Sequence, residues 1–525
     1  MLTRRLGVSI GWILFLLTLA STASSEMLAD GFRLPVTEHT LKNGMRFLIV
    51  ERRESPTFSA YIRFQVGSVN EPVGQTGLAH LLEHMMFKGT TLFGTTDPAR
   101  ELPVLARVDQ VYLGLQAERQ RANLSSPPAN SERVMALEKE FLSLQDEAKA
   151  FIVRNELWEI YRRHGGIGLN ASTSRDGTQY FISLPKNRLQ LWALMESDRI
   201  RDPVFREFYT ERNVVQEERR QRVDTSPRGQ LMEAALAVAF TVVPYRHPVL
   251  GWPGDLENLN RPQAQAYFKT YYAPNNALAV LVGDLDPAEV IPVAERYFGT
   301  LSPQPIPSPA LSGEPPQVGE RRVRVEFPAE PQLLVLYQAP PLGHADTYPL
   351  AVMTSLLGEG RSSRLYKRLA EDKRLVTSVA MGPWFLRDAG LLLIQATPRA
   401  PHTPEEVETA IDEEIARLKS EVPSPWELVK IRNQIDVEAV GYLNSNAGLA
   451  SHLGNAWALT GDWRSLFSDR EKLKAVTAEQ VRDAAQRYLI PRQRTVATLV
   501  RGDAQTPPRA TPSRPPTTRQ PWETE

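Results

Sequence analysis

Apolar and polar positions divide the chain into two runs with the same order, strands first and helices after. Gly44-Met45-Arg46-Phe47-Leu48-Ile49-Val50 and Phe58 to Phe64 are short, apolar and rich in strand formers, and predict a hairpin pair. Arg322 to Glu326 and Gln332 to Tyr337 predict the same pair later in the chain. The runs also close alike. Ala266 to Pro274 precedes Ala277 to Asp284, and Ala484 to Pro491 precedes Thr495 to Asp503. Each reads as a helix stopped at Tyr-x-x-Pro, followed by an apolar strand ending in a Gly-Asp turn. A match at the end of both runs points to duplication. Strands followed by helices, without strict βαβ alternation, predict an α+β protein of two homologous α/β-sandwich halves.

One region breaks the symmetry. Between about 103 and 164 the pattern turns helical. Val134, Leu137, Phe141, Leu144, Ala148 and Phe151 recur at spacings of three and four, as do Leu105, Val108, Tyr112 and Leu115. Apolar seams on both sides of Ser125-Ser126-Pro127-Pro128 predict an antiparallel helical hairpin inserted in the first half. Its plain role is structural; docking a partner is the alternative. Residues 301–320 are crowded with Pro, which removes backbone donors and favours extended chain, so they read as a linker between halves at 33–300 and 321–503. A hinge there would let the two halves open and close.

The ends carry other signals. Met1 to Arg5 is positive, Leu6 to Ala20 is apolar, and Ser21 to Ser25 is small and polar, the layout of a secretory signal peptide over residues 1–25. The expected location is outside the cytoplasm, in the periplasm of a Gram-negative bacterium, with no stable membrane span after cleavage; an uncleaved N-terminal anchor is the alternative. Gly7-Val8-Ser9-Ile10-Gly11 matches a nucleophile elbow, but inside this leader it lacks the strand and helix that such an elbow needs. Residues 504–525 are rich in Pro, Thr and Arg and predict a disordered tail.

Composition narrows the chemistry. The 525 residues suit two large domains or about three of ~150 residues. Lys plus Arg number 61 and Asp plus Glu 61, so no general field attracts nucleic acid. Cysteine is absent, which removes disulfides, thiolate metal sites and thiol nucleophiles. Any metal must be held by His, Asp or Glu.

The stretch Gly77-Leu78-Ala79-His80-Leu81-Leu82-Glu83-His84 places two imidazoles one helical turn apart on one face. Such a pair can grip one ion, while Glu83 beside it can accept a proton from water. A catalytic zinc usually takes three protein ligands and leaves one position open, so a third ligand must come from elsewhere. The helix predicted over Phe208 to Arg220 offers Glu211 and Glu218, seven apart on one face, with Glu217 pointing elsewhere. Read alone, those carboxylates would be a solvated acidic face paired with Arg.

His80-x-x-Glu83-His84 is the inverted zinc motif, and the chain resembles the pitrilysin (M16, inverzincin) family of metallopeptidases, in particular bacterial members similar to mitochondrial processing peptidase subunits. Asn170 to Asp176, Tyr245-Arg246-His247-Pro248 through Gly251, Tyr272 to Asn276 and Leu357 to Leu365 carry the likeness further, over roughly 35–500. The resemblance implies the pitrilysin/LuxS-like metallohydrolase fold and a zinc-dependent endopeptidase acting on peptides or unfolded segments. It implies one Zn2+ per chain held by His80, His84 and Glu218, Glu83 as general base, and Glu211 as a supporting carboxylate. It also implies that the strand at Asn170, Ala171 and Ser172 takes substrate as an added β-strand.

Two departures qualify the match. Between His84 and Glu218 lie more residues than the family usually has, and the helical hairpin accounts for the excess. In the second half Ala370 and Thr377 stand where the family places an Arg and a Tyr, and neither can donate to an oxyanion as those would. The expected assembly is therefore a heterodimer with an M16-family partner that bears Arg and Tyr; a homodimer using Arg368 or Arg374 is the alternative. A noncatalytic M16-fold assembly or peptide-binding subunit is the rival function.

Overall fold

The computed structural model describes residues 34–124, 131–308 and 313–502. The expected signal peptide and C-terminal tail lie outside the described residues. Six strands form the first sheet: β1 (Val36–Thr40), β2 (Arg46–Glu51), β3 (Thr57–Phe64), β4 (Ile167–Thr173), β5 (Thr178–Pro185) and β6 (Ala277–Gly283). Their order is β1-β2-β6-β3-β5-β4. Five form the second: β7 (Arg321–Phe327), β8 (Gln332–Ala339), β9 (Val376–Phe385), β10 (Gly390–Pro398) and β11 (Arg494–Arg501), in the order β7-β11-β8-β10-β9. The halves thus share one topology, with β1 added to the first.

The two expected hairpins do not exist. In each half the closing strand inserts between the two opening ones, pairing parallel with one and antiparallel with the other. The reason lies in β6 itself: all seven residues of Ala277–Gly283 are buried. A strand without a polar face belongs at the centre of a sheet covered on both sides, and it displaces a pairing that sequence proximity would favour.

What covers the second side is unexpected. Helices of the first half, including α1 (Leu78–Met85), pack on one face of the first sheet through Leu78, Leu81, Leu82 and Met85 against Phe47, Phe58, Ile62 and Leu281. The hairpin helices α2 (Pro98–Leu124) and α3 (Ser131–Lys149) follow, then α4 (Phe208–Arg219) and α5 (Pro227–Ala239). Helix α5 leaves its own half. Its Leu231, Ala235, Leu236 and Ala239 pack on Leu334, Leu336, Ala497 and Leu499 of the second sheet. In return α6 (Asn446–Thr460) of the second half lays Leu449, Ala450, Leu453 and Trp457 on Leu48, Leu278, Val280 and Val282 of the first. Each fully buried leucine in these contacts contributes about 1.5–3 kcal/mol.

The linker is therefore not all that joins the halves. The halves are tied by two crossed helices and by a polar clasp. Buried Asp176 accepts from Tyr245 Oη at 2.7 Å and from the Arg387 N–H at 3.2 Å, while Tyr245 Oη accepts from the Asp388 N–H at 3.0 Å. The Pro-rich segment is pinned as well. Glu314 accepts from the N–H groups of Thr241, Val242 and Val243 at 2.6, 3.0 and 3.1 Å, and the buried Gln317 amide donates to Arg494 O.

The helical hairpin is present, and Leu105, Val108, Tyr112, Leu115, Leu137, Leu144, Ala148 and Phe151 of its seams are buried. Its helices are longer than the seams suggested, α2 starting at Pro98 with Pro103 inside it. It stands directly behind α4. Tyr112 packs on Tyr209 with ring centres 4.2 Å apart, Asp109 pairs with Arg261 at 2.7 Å, and Glu101 pairs with Arg206 at 2.7 Å, both side chains out of solvent. Among the described residues no helix is long and apolar enough to cross a membrane.

Candidate metal centre

Helix α1 is short and needs help to start. Gly77 precedes it at φ 88°, a left-handed conformation that disfavours a side chain, and a Cβ there would lie 2.8 Å from Leu250 O. The Glu71 carboxylate takes the place of a cap, accepting from the N–H groups of Gly77 and Ala79 at 3.0 and 2.8 Å. With its leucines turned into the core, α1 presents His80, Glu83 and His84 together on the other side. Helix α4 anchors through Phe208, Tyr209 and Val215 and brings Glu211 and Glu218 to the same place. Buried Arg219 holds its end, donating to Glu233 at 2.7 Å and to Gly251 O at 2.8 Å.

One donor atom each from His80, His84 and Glu218 lie within 4.8 Å of one another. Glu218 Oε2 is 3.7 Å from His80 Nε2 and 3.6 Å from His84 Nε2. Donors bonded tetrahedrally to one zinc at 2.0–2.1 Å would sit about 3.3 Å apart; the Glu218 oxygen is within a few tenths of an ångström of that from each imidazole, and the set, spread over up to 4.8 Å, would draw together around an ion. The tautomer fits too. His84 Nδ1 lies 3.3 Å from Glu211 Oε2, and with the Nδ1 proton donated there, loss of the Nε2 proton to an arriving metal would free a lone pair facing Glu218 and His80. His80 Nδ1 is buried and has no hydrogen-bond partner among the described residues.

The electrostatics are those of a buried cluster of imidazoles and carboxylates. Burial, then the neighbouring His84, lowers His80 to about 3, so its ring is neutral at ordinary pH. Burial also opposes charge on His84, but hydrogen bonds to Glu211 and Glu218 overcome it and raise the ring to about 9. Glu218, despite burial, is drawn well below the usual carboxylate range by His84, His80 and Arg222. Burial raises Glu83, and a hydrogen bond from Thr173 offsets part of that rise.

Every residue expected at the metal is thus gathered in one place, including Glu218 from across the hairpin. Glu217 turns away to Arg220 and Gln221, as its helical position requires. Asn170, Ala171 and Ser172 lie in β4, the edge strand of the first sheet. The Ala171 N–H donates to its neighbour's Asn170 Oδ1 at 2.8 Å, while Ser172 Oγ accepts from Gln179. Three participants were missed. Thr173 Oγ1 donates to Glu83 Oε2 at 2.6 Å; alternation along β4 puts it with buried Leu169 and Ala171 on the face toward α1, which was the available signal. Lys88 contacts Glu211 and Glu207, and Arg222 contacts Glu218. Nothing in their spacing alone distinguished these two cations from surface charges.

Residues 46–102 match the family described as insulinase (peptidase family M16), and residues 258–435 match the peptidase M16 inactive domain. Both matches are to M16 peptidase domains. It is 28% identical over 446 residues to zinc protease PqqE of Helicobacter pylori, covering 82% of this chain and 85% of that one. It is 22% identical to a probable mitochondrial-processing peptidase subunit beta of Arabidopsis thaliana, covering 88% and 77%. The crystal structure of a protease from Helicobacter pylori superposes with a TM-score of 0.74 at 25% identity, covering 89% of this chain and all of that one. In M16 terms, the expected recognition and the two-half fold both hold.

Proposed function

We propose that this M16 chain is a zinc-dependent endopeptidase in which His80, His84 and Glu218 hold one Zn2+ and Glu83 is the general base. The observation that carries the reading is the convergence of His80, His84 and Glu218 from two helices, with Glu83 beside them on α1. Bound zinc would supply a Lewis acid that polarises a scissile carbonyl and acidifies water. The protein does the rest. Glu211 fixes the His84 ring, and Thr173 fixes the Glu83 carboxylate. Glu83 removes the proton from the attacking water and returns it to the leaving amine. Its raised pKa suits that exchange, since a base poised nearer neutrality can also act as the acid.

Substrate would enter as a strand beside β4, its carbonyl replacing Asn170 Oδ1 at the Ala171 N–H. Recognition by main chain favours unfolded segments over a fixed side-chain code. Ala370 and Thr377 offer no substitute for the family's Arg and Tyr: Ala370 packs on the second core and Thr377 Oγ1 faces Thr397 O. A heterodimer with an M16 partner that carries them follows from this, and export to the periplasm follows from the leader sequence. The test is cleavage of a quenched-fluorescent peptide by the zinc-loaded chain with and without its co-purifying partner. Glu83→Gln should keep zinc and lose at least 100-fold in kcat, the order that general base catalysis contributes. Normal turnover by Glu83→Gln would refute the assignment.

A further inference from the structure

Two oxygens of Glu218 face different groups. Oε2 points to both imidazoles, at 3.7 and 3.6 Å, while Oε1 pairs with Arg222 Nη1 at 2.8 Å. Arg222 lies four residues past Glu218, in Arg220–Asp224, where α4 widens into a turn closed by the Thr225 N–H on Arg220 O at 2.9 Å. Widened turns of this kind concentrate at functional sites, and a Glu with an Arg four residues on is the favourable order for a helical pair. The Arg222 side chain is 69% exposed, so it has no packing role to explain its place at the mouth of the site.

A carboxylate ligand can give a metal one oxygen or two. If Glu218 gave both, its second oxygen would compete for the corner that a catalytic zinc keeps open for water. We infer that Arg222 is a positioning residue that occupies Glu218 Oε1 and so limits Glu218 to a single ligating oxygen. The inference rests on the zinc-peptidase reading and adds to it a determinant of coordination number.

The experiment uses the purified full-length chain, stripped of metal and titrated with zinc against a chromophoric chelator, and in parallel loaded with Co2+ for visible absorption. Arg222→Leu removes the donor and the charge; Arg222→Lys keeps a charged donor. The expected result for Arg222→Leu is zinc affinity weakened about tenfold, the scale for loss of a partner that orients a ligand. Its cobalt absorption should weaken, as a four-coordinate site becomes five-coordinate, and Arg222→Lys should recover most of both properties. Thermal melts should be unchanged, because the residue is exposed. Arg222→Leu with wild-type affinity and a wild-type cobalt spectrum would overturn the inference while leaving the zinc reading intact. A wild-type chain that binds no zinc would overturn both.

Discussion

Removing the hydroxyl of Thr173 tests how the general base is tuned. Thr173 Oγ1 donates to Glu83 Oε2 at 2.6 Å, and Glu83 is buried. A hydrogen bond to a charged acceptor contributes about 1.5–3 kcal/mol. Since it favours the ionised carboxylate, its loss raises the Glu83 pKa, and at 1.36 kcal/mol per unit the rise is about one to two units. Glu83 must be ionised to take a proton from water. Thr173→Val should therefore move the acidic limb of the pH profile of kcat/KM upward by about one to two units, which is the parameter that reports groups in the free enzyme. Zinc content should not change, because Thr173 touches no ligand. Thr173→Ser restores the hydroxyl and should restore the limb. An acidic limb that stays in place in Thr173→Val would refute the reasoning, whatever happened to the absolute rate.

Three further outcomes follow from the structure. His84, raised to about 9 by Glu211 and Glu218, is protonated at pH 6, so zinc binding there should expel about one proton per site, measurable by calorimetry in buffers of different ionisation enthalpy; binding without proton release would contradict the pairing. The sign for the metal-free chain is the complement: stability from this pairing is complete below the unfolded value near 6.5 and is lost as pH rises through about 9. Glu101→Ala leaves the buried Arg206 guanidinium without its carboxylate and should cost about 3–5 kcal/mol in urea denaturation, whereas a loss under about 1 kcal/mol would show that the hairpin is a passive insertion.

The grouping of the candidate metal ligands was legible because it is local. His80, Glu83 and His84 share one turn of helix, and Glu211 and Glu218 share one face of another, so helical spacing alone predicts which side chains travel together. The hairpin seams were legible for the same reason, since every contact along α2 and α3 repeats at three or four residues. Long-range choices were not. The Phe47 and Phe58 strands lie next to each other in the chain, yet β6 comes between them from more than 200 residues away because only a wholly apolar strand suits the sheet centre. Nor does any pattern in Leu231 or Leu453 say that its helix covers the opposite half; an amphipathic helix records that it is buried, not against what. Thr173 and Arg222 sit at positions that strand alternation and helical spacing mark only as turned toward β4's inner face and toward Glu218, and neither pattern says what the hydroxyl or the guanidinium does there.

His80, His84 and Glu218 should together hold one zinc ion. Anomalous diffraction from crystals of the zinc-loaded chain, recorded on both sides of the zinc absorption edge, tests it most directly. One strong peak is expected about 2.0–2.2 Å from a nitrogen of each imidazole and from Glu218 Oε2, with Glu83 nearby but not bonded. No peak between these residues, or one that Glu218 does not reach, would contradict it.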